Sequence, residues 1–235
     1  MIDIELIKAL KRGTRRMSDE SLTKLCAYVK SQMSRGAAFK NRAGKEDIYY
    51  TMFGWLLCYT LGIKTDKSVR REYLKGIDRA QLDELHSIVY KQCVMLDDLM
   101  SYGMILAAVK HIGNRKHIED FFNAFSQHTK GESINGLAAG FLTNKMPKDF
   151  ALMQIAALQD ASGGFYQNTG ATIPDLLSTA VALFTLKAAK TKARYNPTDF
   201  VVAHVNDDGS WAPNVLDTDS DVEYCFYGLL ALGSV

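Results

Sequence analysis

Five spans of the chain, residues 47–62, 98–112, 133–143, 175–188 and 221–233, are apolar with few charges inside them. A helix without a polar stripe has no face to turn to water, so such spans must be surrounded by other helices. Between them fall amphipathic spans, roughly 18–33, 79–92, 117–129, 147–160 and 197–205. There apolar residues recur at spacings of three and four while charges gather on one side. Two-residue alternation is rare. The four prolines, Pro147, Pro174, Pro197 and Pro213, sit where helices can begin or loops can bend. The pattern predicts an all-α protein in which outer and inner helices alternate.

The passages that join outer to inner helices repeat one layout. An outer helix leads to a glycine turn with an aromatic, then a gap, then an aspartate that opens an apolar run. The three copies read Gln32, Gly36, Phe39, Asp47; Gln159, Gly163, Phe165, Asp175; and Asn206, Gly209, Trp211, Asp221, with aromatic-to-aspartate gaps of eight, ten and ten. The glycine is expected to let the chain leave the outer helix, and the aromatic to plug between neighbouring hairpins. Asp47, Asp98, Asp175 and Asp221 are placed to cap inner helices, accepting from free N–H groups of the first turn at the positive end of the helix dipole. Inner helices beginning near 47, 98, 133, 175 and 221 have the period of helical-hairpin repeats, and their even placement argues for one domain over residues 1–235.

At 47% apolar and 23% charged, the 235 residues suffice for a large core. Every apolar run is interrupted well short of the roughly 18 residues that a membrane span needs. The opening MIDIELIKALKRG mixes charges into its apolar residues and lacks the features of a secretory leader, so a cytoplasmic location is expected. Cys26, Cys58, Cys93 and Cys225 are far apart with no histidine at metal spacing and read as buried thiols. A net charge of +2 is too small to argue for nucleic acid, and no nucleic-acid partner is expected. The cluster Lys8, Lys11, Arg12, Arg15 and Arg16 reads as a solvated helix end, with contact to an acidic surface as the alternative.

QDASGGFYQNTGATIPDLLSTAVALFTL (159–186) and NDDGSWAPNVLDTDSDVEYCFYGLLALG (206–233) resemble the repeats of protein prenyltransferase β subunits and of squalene and other terpenoid cyclases. The likeness is strong over 147–235, fair over 30–62 and weak over 64–146. It implies an α/α toroid, here of about five hairpins plus an N-terminal helix, whose inner helices ring a central apolar cavity that in the family holds an isoprenoid chain. The chain is shorter than a full family ring, which leaves open a groove at the seam between the N-terminal segment and 221–235.

The family's catalytic motifs are incomplete in this chain. Of the prenyltransferase zinc ligands, Asp175 matches the aspartate, but Leu177 stands at the cysteine position and Tyr224 at the histidine position. The cyclase acid motif has a near counterpart in Asp217, Asp219 and Asp221, spaced D-x-D-x-D, one residue out of register. An acidic loop leading to a helix cap is the preferred account of that cluster. Asp219, Asp221 and Tyr224 are the candidate catalytic residues should chemistry occur, with an aspartic acid of raised pKa as proton donor. No cofactor is expected; the missing ligands argue against zinc, and magnesium stays open.

His86, His111, His117, His128 and His204 show no clustering with acids and cysteines. The loop cations Arg35, Lys40, Arg42 and Lys45, or Lys110, Arg115 and Lys116, offer a place for a diphosphate, although solvated loops are the simpler reading. Tyr50, Phe53, Tyr102, Phe184 and Phe226 are the candidate ligand-lining side chains of the inner helices, where aromatic faces build an apolar pocket or fill it. The expected function is binding, in the central cavity or at the seam, of an isoprenoid, another apolar molecule or a partner protein. The alternative is a divergent transferase or cyclase acting on an isoprenyl diphosphate.

Overall fold

The computed structural model describes residues 2–76 apart from 36, and residues 133–235 apart from 143 and 145. The spans predicted at 79–92, 98–112 and 117–129 lie outside the described residues, as do Cys93, Asp98, Tyr102 and four of the five histidines. The described chain is mostly helical: α1 (Ile2–Thr14), α2 (Asp19–Ser31), α3 (Ile48–Leu61), α4 (Lys67–Gly76), α5 (Ile134–Leu142), α6 (Lys148–Ala157), α7 (Leu176–Ala188), α8 (Thr198–Ala203) and α9 (Val222–Ser234). Two elements depart from the sequence reading. Helix α4 was not expected, and a two-stranded antiparallel sheet, β1 (Phe39–Lys40) and β2 (Glu46–Asp47), pairs Phe39 with Asp47.

Each charge-poor helix begins at an aspartate or serine cap. Asp47 Oδ1 accepts from Tyr49 N at 2.8 Å, Asp175 Oδ1 from Ser178 N at 2.7 Å, and Asp221 Oδ1 from Tyr224 N at 2.9 Å. Ser133 does the same for α5 through Gly136 N. These bonds satisfy amide groups that the helix itself leaves unpaired. Glycine ends α3: Gly62 takes a left-handed conformation at φ 69° and its N–H bonds back to Cys58 O.

Helices α5, α7, α9 and α3 pack side by side in that order, so the last helix of the chain lies against an early one. α3 and α9 run parallel, since Tyr49 meets Glu223 and Phe53 meets Phe226. α1 packs antiparallel on α9 and also touches α3. A Cβ on Gly233 would fall 1.8 Å from Ala9 O, and one on Gly13 would fall 2.2 Å from Leu229 O, so the backbones of α1 and α9 are in direct contact. The N-terminal segment and 221–235 are thus in direct contact where a groove was expected. Leu10, Leu25, Phe53, Leu57, Leu176, Trp211, Phe226 and Leu229 are among the fully buried core residues. Among the described residues, no helix is long and apolar enough to cross a membrane.

Candidate functional site: an arginine clasp between the first and last repeats

The three repeats share one hydrogen-bonded frame, which corrects the alignment read from sequence. Asp160 N and Asn206 N bond to Gly164 O and Ser210 O, and in the first copy the equivalent bond runs from Ser34 N to Ala38 O. Ser34, and not Gln32, therefore matches Asn206. The left-handed corner is Gly163 (φ 95°) and Gly209 (φ 83°) in two copies and Ala37 (φ 61°) in the first; Gly36 lies outside the described residues. In the first two copies the aromatic amide is held by the residue four beyond the aspartate: Phe39 N donates to Thr51 Oγ1 at 2.8 Å and Phe165 N to Thr179 Oγ1 at 2.9 Å. In the third copy that position is the buried Cys225.

Two of the aromatic rings sit on the helices that follow them. Phe39 covers Gly54, and Trp211 covers Gly228; a Cβ at either glycine would come within 2.3 Å of the ring. In the second copy the same position is Ala182, seven residues after its aspartate. The glycine corners make the contacts between repeats: Gly163 abuts Asn196 and Pro197 at the start of α8, and Gly209 abuts Lys24 and Leu25 of α2. The last repeat thus docks on the outer helix of the first.

Arg42, in the turn between β1 and β2, spans this junction. Its Nε donates to Asp221 Oδ2 at 2.8 Å, one terminal nitrogen to Asp217 Oδ2 at 3.0 Å, and the other to the Asp219 main-chain oxygen at 3.0 Å. Its guanidinium also lies 5.3 Å from the centre of the Tyr224 ring. The planar fork of arginine suits three divergent acceptors, which a lysine would not serve. Asp221 is buried and Arg42 is exposed, so the pair is shielded from solvent on the Asp221 side alone. The guanidinium holds the Asp217 carboxyl below the usual carboxylate range. Beside the clasp is a pocket of about 340 Å³ lined by Tyr28, Gln32, Lys40, Arg42, Asp219 and Asp221.

Of the candidate catalytic residues, Asp221 and Tyr224 are brought together in the first turn of α9, and Asp219 is exposed in the loop before it. Asp221 is doubly committed, to the helix cap and to Arg42. Burial raises the pKa of the Asp175 carboxyl. Tyr50 and Tyr224 are half-buried, and burial beside carboxylates raises both phenols. Tyr49 Oη donates to Glu223 Oε1 at 2.6 Å and joins the first turns of α3 and α9. Phe53 and Phe226 are fully buried and meet edge to face at 5.2 Å between ring centres; Phe184 is buried in α7. These three pack within the core, which leaves Tyr50 as the described ligand-lining candidate with an exposed portion. Among the described residues, no three His, Cys, Asp or Glu side chains are grouped to hold a metal ion.

The residues that the sequence reading missed are Arg42 as a partner of the acidic loop, Glu223, and the supports at the fourth and seventh positions after each aspartate. Aligning on Asp47, Asp175 and Asp221 gives Thr51, Thr179, Cys225 and Gly54, Ala182, Gly228. That column of small residues was a usable signal. Compared with protein-family models and with curated proteins, the chain matches none.

Proposed function

We propose that the chain is an α/α toroid that binds an isoprenoid or similarly apolar ligand without transforming it, at the end of the inner helices where Tyr50 and Tyr224 lie. Support for the ring comes from the order α5, α7, α9, α3, in which the C-terminal helix neighbours an early one. Support for binding without chemistry comes from one observation above the others: the Arg42 guanidinium engages the Asp217 and Asp221 carboxylates, and the main-chain oxygen of Asp219 between them. An acid that protonates an alkene needs a raised pKa and freedom to release its proton, and an arginine partner opposes both. Tyrosine faces with polar tips suit an apolar chain bearing a polar head. The divergent enzyme is the second reading, favoured by the raised pKa of Asp175, whose position matches a prenyltransferase zinc ligand.

Native mass spectrometry with farnesyl and geranylgeranyl diphosphate, with and without zinc or magnesium, tests this proposal. A one-to-one adduct that needs no metal, is weakened in Tyr50→Ala and Tyr224→Ala, and yields no product is expected. An unchanged mass under every condition would remove the apolar-ligand reading; turnover that stops in Asp175→Asn would replace it with the enzyme.

A further inference from the structure

The charges of this chain are segregated. Residues 1–17 and 185–196 hold nine Lys and Arg, namely Lys8, Lys11, Arg12, Arg15, Arg16, Lys187, Lys190, Lys192 and Arg194, against two acids, Asp3 and Glu5. Those segments carry +7, so with a total of +2 the rest of the chain carries −5. The fold brings the two segments together at the C-terminal end of α9. Arg12 Nε donates to Gly233 O at 2.9 Å and Lys187 Nζ to Val235 O at 3.0 Å, each satisfying a carbonyl that the helix end leaves free. Lys187 is near enough to Arg12 and Arg16 for both to lower its pKa, along with its own burial.

Arg12 and Lys187 are accounted for as caps of α9, and Lys8 by Glu5 at 2.7 Å. Arg15, Arg16, Lys190 and Lys192 are not. All four are exposed, and among the described residues none makes an ion pair. Two tyrosines accompany the cations: Lys11 lies 4.8 Å over the ring of Tyr59, which is 64% exposed, and Arg194 lies 5.0 Å over Tyr195. The acidic loop precedes α9, whereas Lys187 Nζ reaches the C-terminal carbonyl, so the cations that follow α7 are separated from the acids by the length of this 13-residue helix, about 20 Å and more than two screening lengths at physiological salt.

We propose that this basic face docks the protein peripherally on an anionic lipid bilayer surface, with Tyr59 seated among the headgroups. Long exposed side chains without fixed partners suit mobile lipid charges, which need no register. Tyrosine rings with polar tips are suited to the headgroup layer. Nucleic acid fits less well. The cations follow the ends of α1 and α7 and do not line a helix N-terminus that could enter a groove, and one well-exposed ring makes no base-stacking platform.

Co-sedimentation with vesicles of phosphatidylcholine, alone or mixed with phosphatidylserine, tests the proposal. Binding to the mixed vesicles only is expected, weakening as salt is raised. Replacing Arg15, Arg16, Lys190 and Lys192 together by Gln should reduce partitioning by about fivefold per charge removed. The quadruple Lys/Arg exchange, R15K, R16K, K190R and K192R, should retain binding, with circular dichroism confirming that both variants fold. Tyr59→Ser should weaken binding without changing its salt dependence. Failure to bind mixed vesicles, undiminished binding by the Gln variant, or tighter binding to DNA or RNA fragments than to vesicles would each overturn the proposal.

Discussion

Arg42 Nε lies 2.8 Å from Asp221 Oδ2, so a turn of the first repeat holds the residue that caps the last inner helix, 179 positions away in sequence. The contact joins long-range docking to local helix formation. Arg42→Ala should cost about 2 kcal/mol in urea denaturation, the range for a hydrogen bond to a largely desolvated charge. Arg42→Lys should recover less than half of this, because an ammonium cannot meet three divergent acceptors. Acidification should weaken the clasp. Arg42 depresses the Asp217 pKa in the folded state, so this stabilisation is present above about pH 4, the unfolded value, and is lost as pH falls through the folded one.

Two caps of the same type should respond oppositely to loss of charge. Asp175 accepts from Ser178 N and Ser178 Oγ but faces no cation, and burial raises its pKa. A carboxyl raised on folding costs stability once pH exceeds its unfolded value of about 4. Asp175→Asn, which keeps a good capping group, should therefore be neutral or stabilising at pH 7. Asp221→Asn, which leaves Arg42 without its buried partner, should destabilise by about 2 kcal/mol. Thermal melts of both variants at neutral pH check the contrast.

The repeat frame makes its own prediction. Ala37 occupies the left-handed corner that Gly163 and Gly209 occupy elsewhere, at φ 61°. A Cβ there costs roughly 1–2 kcal/mol, against about 0.4–1 kcal/mol for the added freedom of the unfolded chain, so Ala37→Gly should stabilise the protein by about 0.5–1 kcal/mol. Gly228→Ala should do the reverse. Its new methyl would strike the Trp211 ring, which is fully buried and has nowhere to move, at a cost of about 1–3 kcal/mol.

His204 is buried, with Nδ1 2.7 Å from Phe200 O and its ring 4.4 Å from that of Phe200. Burial lowers its pKa, so the unfolded chain takes up the proton first. Stability contributed by neutral His204 is complete above about pH 6.5 and is lost as pH falls through the folded value. Between pH 7 and pH 5 the denaturation midpoint should fall further, or rise less, in the wild type than in His204→Gln.

Much of the architecture was legible in the chain because burial leaves a compositional trace. Charge-poor spans became α3, α5, α7 and α9, and the aspartates before three of them became caps as expected. Boundaries were predicted slightly long because capping and fraying are settled by single hydrogen bonds. Helix α4 escaped because its KSVRREYLKG sequence, although amphipathic, is short and largely polar, with Val69, Tyr73 and Leu74 as its apolar residues. The misplaced corner had a different cause: Gly36 looked like the residue for a left-handed conformation, but the frame puts Ala37 there and tolerates the strain. The clasp was hidden for a third reason. Arg42 and the acidic loop were each visible, yet nothing local to either stretch says that the first repeat abuts the last.

The central claim is that the acidic loop serves closure of the fold, through Arg42, and not catalysis. A double-mutant cycle of Arg42→Ala and Asp221→Asn, measured by urea denaturation at neutral pH, reads the coupling directly. The account predicts a favourable coupling energy of about 1–3 kcal/mol, with the double variant less destabilised than the sum of the two single ones. A coupling near zero would mean that the two ends of the chain are not joined by this contact, and would contradict the account.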